Sequence, residues 1–154
     1  MVNQIQGSPV SVPSSFADWS DSQLLSAALR YGKEALSWRR KFLGTLPEIA
    51  KRKLYEQHGC GSIVEFAARV GGVSEAQVKN VLSVKEALEE TSRLQELLIN
   101  GTVSVNKLAR IVSVVTPENE ELLVNQVQLL SSRALETLVR DIKHDKASLH
   151  VRYR

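Results

Sequence analysis

Six polar residues in one short stretch, Ser74, Glu75, Gln77, Lys79, Asn80 and Ser83, carry side chains of the types that read base-pair edges. Gln and Asn amides make paired hydrogen bonds to adenine, and Lys donates to guanine or to phosphate. A phosphate can also sit on the free amides of a helix that opens at Ser74. Glu75 works against this, because its carboxylate repels phosphate unless it accepts from a cytosine amino group. Arg69 before the stretch and Lys85 after it are placed to touch the sugar-phosphate backbone. Upstream, Lys51, Arg52 and Lys53 form a basic run. Eight basic residues lie between Arg30 and Lys53, against two acidic ones, Glu34 and Glu48. That local excess surpasses the net charge of +3 of the whole chain. It would supply the sequence-independent, salt-dependent part of an affinity for DNA.

Residues for covalent chemistry are scarce. His58-Gly59-Cys60-Gly61 pairs a histidine with the single cysteine. Zinc takes about four ligands, and this segment offers two. A nucleophilic cysteine needs an activating base, and the spacing supplies none. Glu89-Glu90 and Glu120-Glu121 read as solvated helix faces. No catalytic residue, metal site or cofactor is therefore expected.

The elements that must position these groups are helices. From Ser62 to Val84 the chain reads SIVEFAARVGGVSEAQVKNVLSV. A small residue (Ala67 or Ala68) faces the next helix, Gly71-Gly72 allows the turn, and Val73 plugs the core. Ser74 then caps a second helix, to about Ala87, held by Val78, Val81 and Leu82. This is the pattern of a helix-turn-helix, whose second helix enters the major groove.

Elsewhere, Ser or Thr followed three residues later by Glu or Gln marks helix starts. It occurs at Ser20/Gln23, Thr45/Glu48, Ser62/Glu65, Ser74/Gln77 and Ser92/Gln95, and Thr116-Pro117 adds a further start. Gly44, Gly59, Gly71-Gly72 and Asn100-Gly101 mark the stops. The spacing predicts eight helices, at 20–43, 46–58, 62–70, 74–88, 92–99, 104–114, 117–130 and 132–145. At the end, Leu149, Val151 and Tyr153 alternate with polar residues, which predicts an extended tail over 146–154. Residues 1–19 read as a flexible leader without the features of a secretory signal. One cysteine and no membrane-length apolar run suggest a cytoplasmic protein.

Two resemblances rest on these residues. EFAARVGGVSEAQVKNVLSVKEAL, LQELLINGTVSVNKLARIVSVVTPEN and VQLLSSRALETLVRDI resemble, in order and spacing, the central DNA-binding domain of ParB/KorB-type partition proteins. Ser20 to Asp141, including EIAKRKLYEQHGCGSIVEFAARV, resembles the N-terminal helical region of bacterial HNH-endonuclease-type proteins. There a strand and a nuclease domain follow, and LHVRYR looks like the start of that strand. Both resemblances imply DNA association. The partition family's nucleotide-binding arginine box has no counterpart in this chain. The nuclease's histidine-rich metal motif is also missing, with only His58, His144 and His150 present.

The expectation is thus an all-α, compact multi-helix bundle over 20–145 that contains a helix-turn-helix. It would bind double-stranded DNA as a regulator or as the targeting part of a nuclease. The alternative is a helical interaction or dimerisation module without DNA binding. A homodimer would form through Leu24, Leu25, Ala28, Leu29 and Leu36 of the first helix.

Overall fold

A computed structural model of the chain describes residues 15–152. The leader expected over 1–19 falls mostly outside the described residues. Those described are all-helical, with seven α-helices, two short 3-10 turns and no strand. No described helix is long and apolar enough to cross a membrane. The helices are α1 (Asp21–Lys51), α2 (Ile63–Gly71), α3 (Glu75–Ala87), α4 (Ser92–Ile99), α5 (Val105–Ile111), α6 (Glu120–Leu129) and α7 (Ser132–Arg152). The chain divides into two compact units, Met1–Ala35 and Leu36–Arg154.

In the first unit Phe16 meets Trp19 edge-on, with ring centroids 5.1 Å apart. Ser20 then starts α1 with a reciprocal cap. Its hydroxyl accepts from the Gln23 amide at 3.1 Å, and the Gln23 side chain accepts from the Ser20 amide at 2.9 Å. Ala27 is the buried residue of this helical segment, whereas Leu25 and Leu29 are 62% and 66% exposed.

The second unit holds the main core. Leu46, Val73, Val78, Val81, Leu88, Leu94, Leu108, Ile111, Leu123 and Leu135 are all but fully enclosed. Each such side chain contributes roughly 1.5–3 kcal/mol of apolar burial. With three phenylalanines and two tryptophans in the chain, aliphatic side chains fill most of this space.

Two expectations about the elements are corrected. The first expected helix and the start of the second, to Lys51, are one, because α1 continues through Gly44 and Pro47, and the rest of the second is a separate 3-10 turn, Leu54–His58. Gly44 is a place of close approach, not a stop. A Cβ there would lie 3.0 Å from the Leu98 carbonyl oxygen and 3.1 Å from the Ile99 Cα. Thr45 does not cap a new helix; its hydroxyl donates back to the Phe42 carbonyl at 2.7 Å. An interior proline costs about 3 kcal/mol. Burial of Leu43 and Leu46, in the turn just before it, is of similar size and carries the helix past it. The tail expected to be extended over 146–154 is instead helical over its described residues, since α7 runs to Arg152. Leu135, Leu138, Val139 and Ile142 recur at helical spacing and pack on the core, and the following Lys, Ala and Leu residues are strong helix formers that extend the rod.

Starts and stops shift elsewhere by small amounts. Ser92 does not cap α4; Glu120, reaching from α6, accepts from the Arg93 and Leu94 amides at 2.9 and 3.2 Å. α6 begins three residues later than Pro117, because Thr116 and Asn119 first close a turn on each other.

Candidate nucleic-acid interface

The junction between α2 and α3 is built by a division of labour. Ser62 caps α2 by accepting from the Glu65 amide at 3.1 Å. Gly72 takes the left-handed backbone, φ 62°, which glycine adopts without steric cost. Gly71 is needed for another reason, since a Cβ there would run into the Phe42 ring. Val73 then drops into the core at 1% exposure. Ser74 and Gln77 close a full capping box at the start of α3. Val78, Val81 and Val84 turn inward.

This packing decides where the six expected reading residues point. Glu75, Lys79 and Ser83 lie on the exposed side of α3. Lys79 is paired there with Glu75 at 3.1 Å. Gln77 and Asn80 lie on the flank toward α1 and α5. Gln77 accepts from the Arg39 guanidinium at 3.2 Å. Asn80 Nδ2 donates to the side-chain Oδ1 of Asn106 on α5 at 3.1 Å.

That flank opens into a trough. One section, about 240 Å³, is lined by Arg39, Arg40, Gln77, Asn80, Ser104 and Asn106 beside Leu36, Leu43 and Val105. A second section, about 260 Å³, shares Arg40 and Ser104 and adds Lys107, Thr102, Gln128 and Ser132 with Val103 and Val127. Three cations and four side-chain amides therefore line the trough, and no carboxylate does. Arg40 and Lys107 have no carboxylate partner among the described residues, and Lys107 donates to the Val127 carbonyl at 3.5 Å. Uncompensated cations in a concave surface focus positive potential.

The remaining expected residues are elsewhere. Arg69 is tied to Glu65 at 2.7 Å on α2. Lys51, Arg52 and Lys53 are not at the trough. Arg52 binds Glu48 at 2.6 Å, and this guanidinium holds the Glu48 carboxyl below its usual range, with Lys51 and Lys85 adding smaller effects. Lys85 stands in the last turn of α3. The basic run thus neighbours the far end of α3, while Arg39 adjoins its start. Lys53 also has a backbone role, taking a left-handed conformation with φ 53° where α1 stops.

Arg39, Arg40, Ser104, Asn106 and Lys107 were not among the site residues expected from sequence. Arg39 and Arg40 lay within the basic stretch, and Asn106 and Lys107 within GTVSVNKLAR. No sequence period links 39–40 with 104–107, because the fold alone brings them together. The His58 ring packs edge-on to Phe66, and the buried Cys60 thiol donates to the His58 backbone carbonyl at 3.8 Å. Among the described residues no three His, Cys, Asp or Glu side chains gather as metal ligands. No protein-family model, curated protein or solved structure matches the chain.

Proposed function

We propose that the chain binds double-stranded DNA through a helix-turn-helix formed by α2 and α3, with the trough beside α3 as the contact surface. The observation that carries this reading is the trough's composition. Arg39, Arg40 and Lys107 supply charge for phosphates, and Gln77, Asn80 and Asn106 supply amides for base edges, with no carboxylate among them. The resemblance to partition-type DNA-binding domains over about Ser62 to Asp141, and to HNH-associated helical regions over about Ser20 to Asp141, supports the same reading. The role is a regulator, or the targeting part of a longer nuclease-type protein.

The distribution of ion pairs sets the expected experiment. Arg40→Ala removes a cation that has no carboxylate partner among the described residues, and Arg52→Ala removes one already bound to Glu48. Fluorescence anisotropy with a labelled mixed-sequence duplex at several salt concentrations separates them. Arg40→Ala lowers the salt slope by about one, the signature of one lost phosphate contact, and Arg52→Ala changes it by less. An unchanged slope in Arg40→Ala removes the trough from the interface.

A second reading has one observation in its favour. Leu24, Leu25 and Leu29 in the first unit are 42%, 62% and 66% exposed, and adjacent exposed leucines mark association surfaces. In that reading the chain is an interaction or homodimerisation module. It expects a dimer by light scattering that Leu25→Lys with Leu29→Lys converts to monomer, and no duplex binding at low salt.

A further inference from the structure

The bond between Asn80 and Asn106 joins α3, which was expected to read bases, to α5, which was not. Asn80 spends one N–H on the side-chain Oδ1 of Asn106 at 3.1 Å. A carboxamide has one acceptor oxygen and two N–H donors. The bond therefore uses the acceptor of Asn106 and leaves its Nδ2 donors. It uses one donor of Asn80 and leaves the second N–H together with the Oδ1 acceptor. Both residues line the same section of the trough, together with Arg39, Arg40 and Ser104. Asn106 is exposed and Asn80 half-buried, so the pair has an open side.

From this we infer that Asn106, outside the helix-turn-helix, is a specificity-determining residue, and that it and Asn80 together read a single adenine. The inference rests on the DNA-binding reading of the trough. In the major groove adenine presents one donor, its N6 amino group, next to one acceptor, N7. Asn80 Oδ1 accepts from N6, and Asn106 Nδ2 donates to N7. Guanine presents two acceptors on that edge and leaves Asn80 Oδ1 facing O6 with no proton between them. The mutual bond restricts both side chains before DNA arrives, so less rotamer freedom is lost on binding. A single asparagine can make both contacts with its own amide. Here that amide is shared with a neighbour, and the two-residue arrangement keeps both polar groups satisfied.

The test uses the full chain and a randomised duplex pool, with bound sequences selected and counted. Asn106→Asp is the informative variant. Its carboxylate still accepts the Asn80 bond, so the junction stays joined, but the donor to N7 is replaced by an acceptor. Wild type should enrich a site with one position fixed as adenine. Asn106→Asp should lose that preference by roughly tenfold or more, the scale of a paired base contact, while the other positions of the site keep theirs. Asn106→Ala should relax the same position with little change in affinity for a mixed-sequence duplex. A site with no such adenine, or an adenine that both variants still select, overturns the assignment while leaving the trough as a DNA surface. Absence of any duplex binding by wild type overturns the DNA reading and this inference with it.

Discussion

Gly71→Ala tests how the α2–α3 junction is held. The glycine adds no positive φ, which Gly72 supplies alone, so backbone strain does not forbid alanine there. Space does. The added Cβ would overlap Phe42 Cε1 and lie 2.6 and 2.7 Å from Cδ1 and Cζ. Carbon atoms prefer about 3.5–4.0 Å, so the ring must shift by more than an ångström. It has little room, because Phe42 stacks on Phe66 at 6.5 Å and packs against the core. Overpacking of this kind costs about 1–3 kcal/mol. Alanine at the end of a helix returns up to about 1 kcal/mol in propensity. The expected net loss is about 1–2 kcal/mol, read by urea unfolding as a midpoint lowered by roughly 0.5–1 M at an ordinary m-value. Phe42→Leu should remove most of that cost, so the double-mutant cycle shows coupling between the two positions. If Gly71→Ala is as stable as wild type, or costs as much without the ring, the steric account of this glycine is wrong.

Further outcomes follow from single contacts. Glu120→Ala should cost about 1 kcal/mol in thermal or urea unfolding, because it leaves two amides at the start of α4 without their acceptor. Lys53→Gly should stabilise by roughly 0.5–1 kcal/mol, since Lys53 holds a left-handed backbone that a glycine adopts freely. Arg52→Ala should move the Glu48 titration, followed by NMR, upward toward the ordinary carboxylate range, because the Arg52 guanidinium is the first cause of its depression. The depressed value means that the pair favours the folded state above the ordinary carboxylate range and loses its effect as pH falls through the Glu48 pKa.

Local signals were legible where a residue's neighbours in sequence are also its neighbours in space. The Ser74–Gln77 box and the valine spacing of α3 are of this kind. The reading failed where distant packing decided the outcome. Gly44 carries the composition of a helix stop, yet α4 lies against it and α1 runs on. The apolar alternation at Leu149 and Val151 suits a strand, but α7 carries helix through it to Arg152. The candidate site behaves in the same way. Gln77 and Asn80 could be picked from the helix pattern. Their turn toward a trough shared with Arg39, Arg40, Asn106 and Lys107 depends on how α1, α3 and α5 pack.

The most direct test of the DNA-binding reading is a salt titration of duplex binding by wild type and by Arg40→Ala with Lys107→Ala. Wild type should bind a mixed-sequence duplex at low salt, with affinity falling steeply as salt rises. The double variant should bind more weakly, with a slope of log affinity against log salt shallower by about 1.8, from about 0.9 for each lost phosphate contact. No duplex binding by wild type at low salt, or identical slopes for the two proteins, would contradict the proposal.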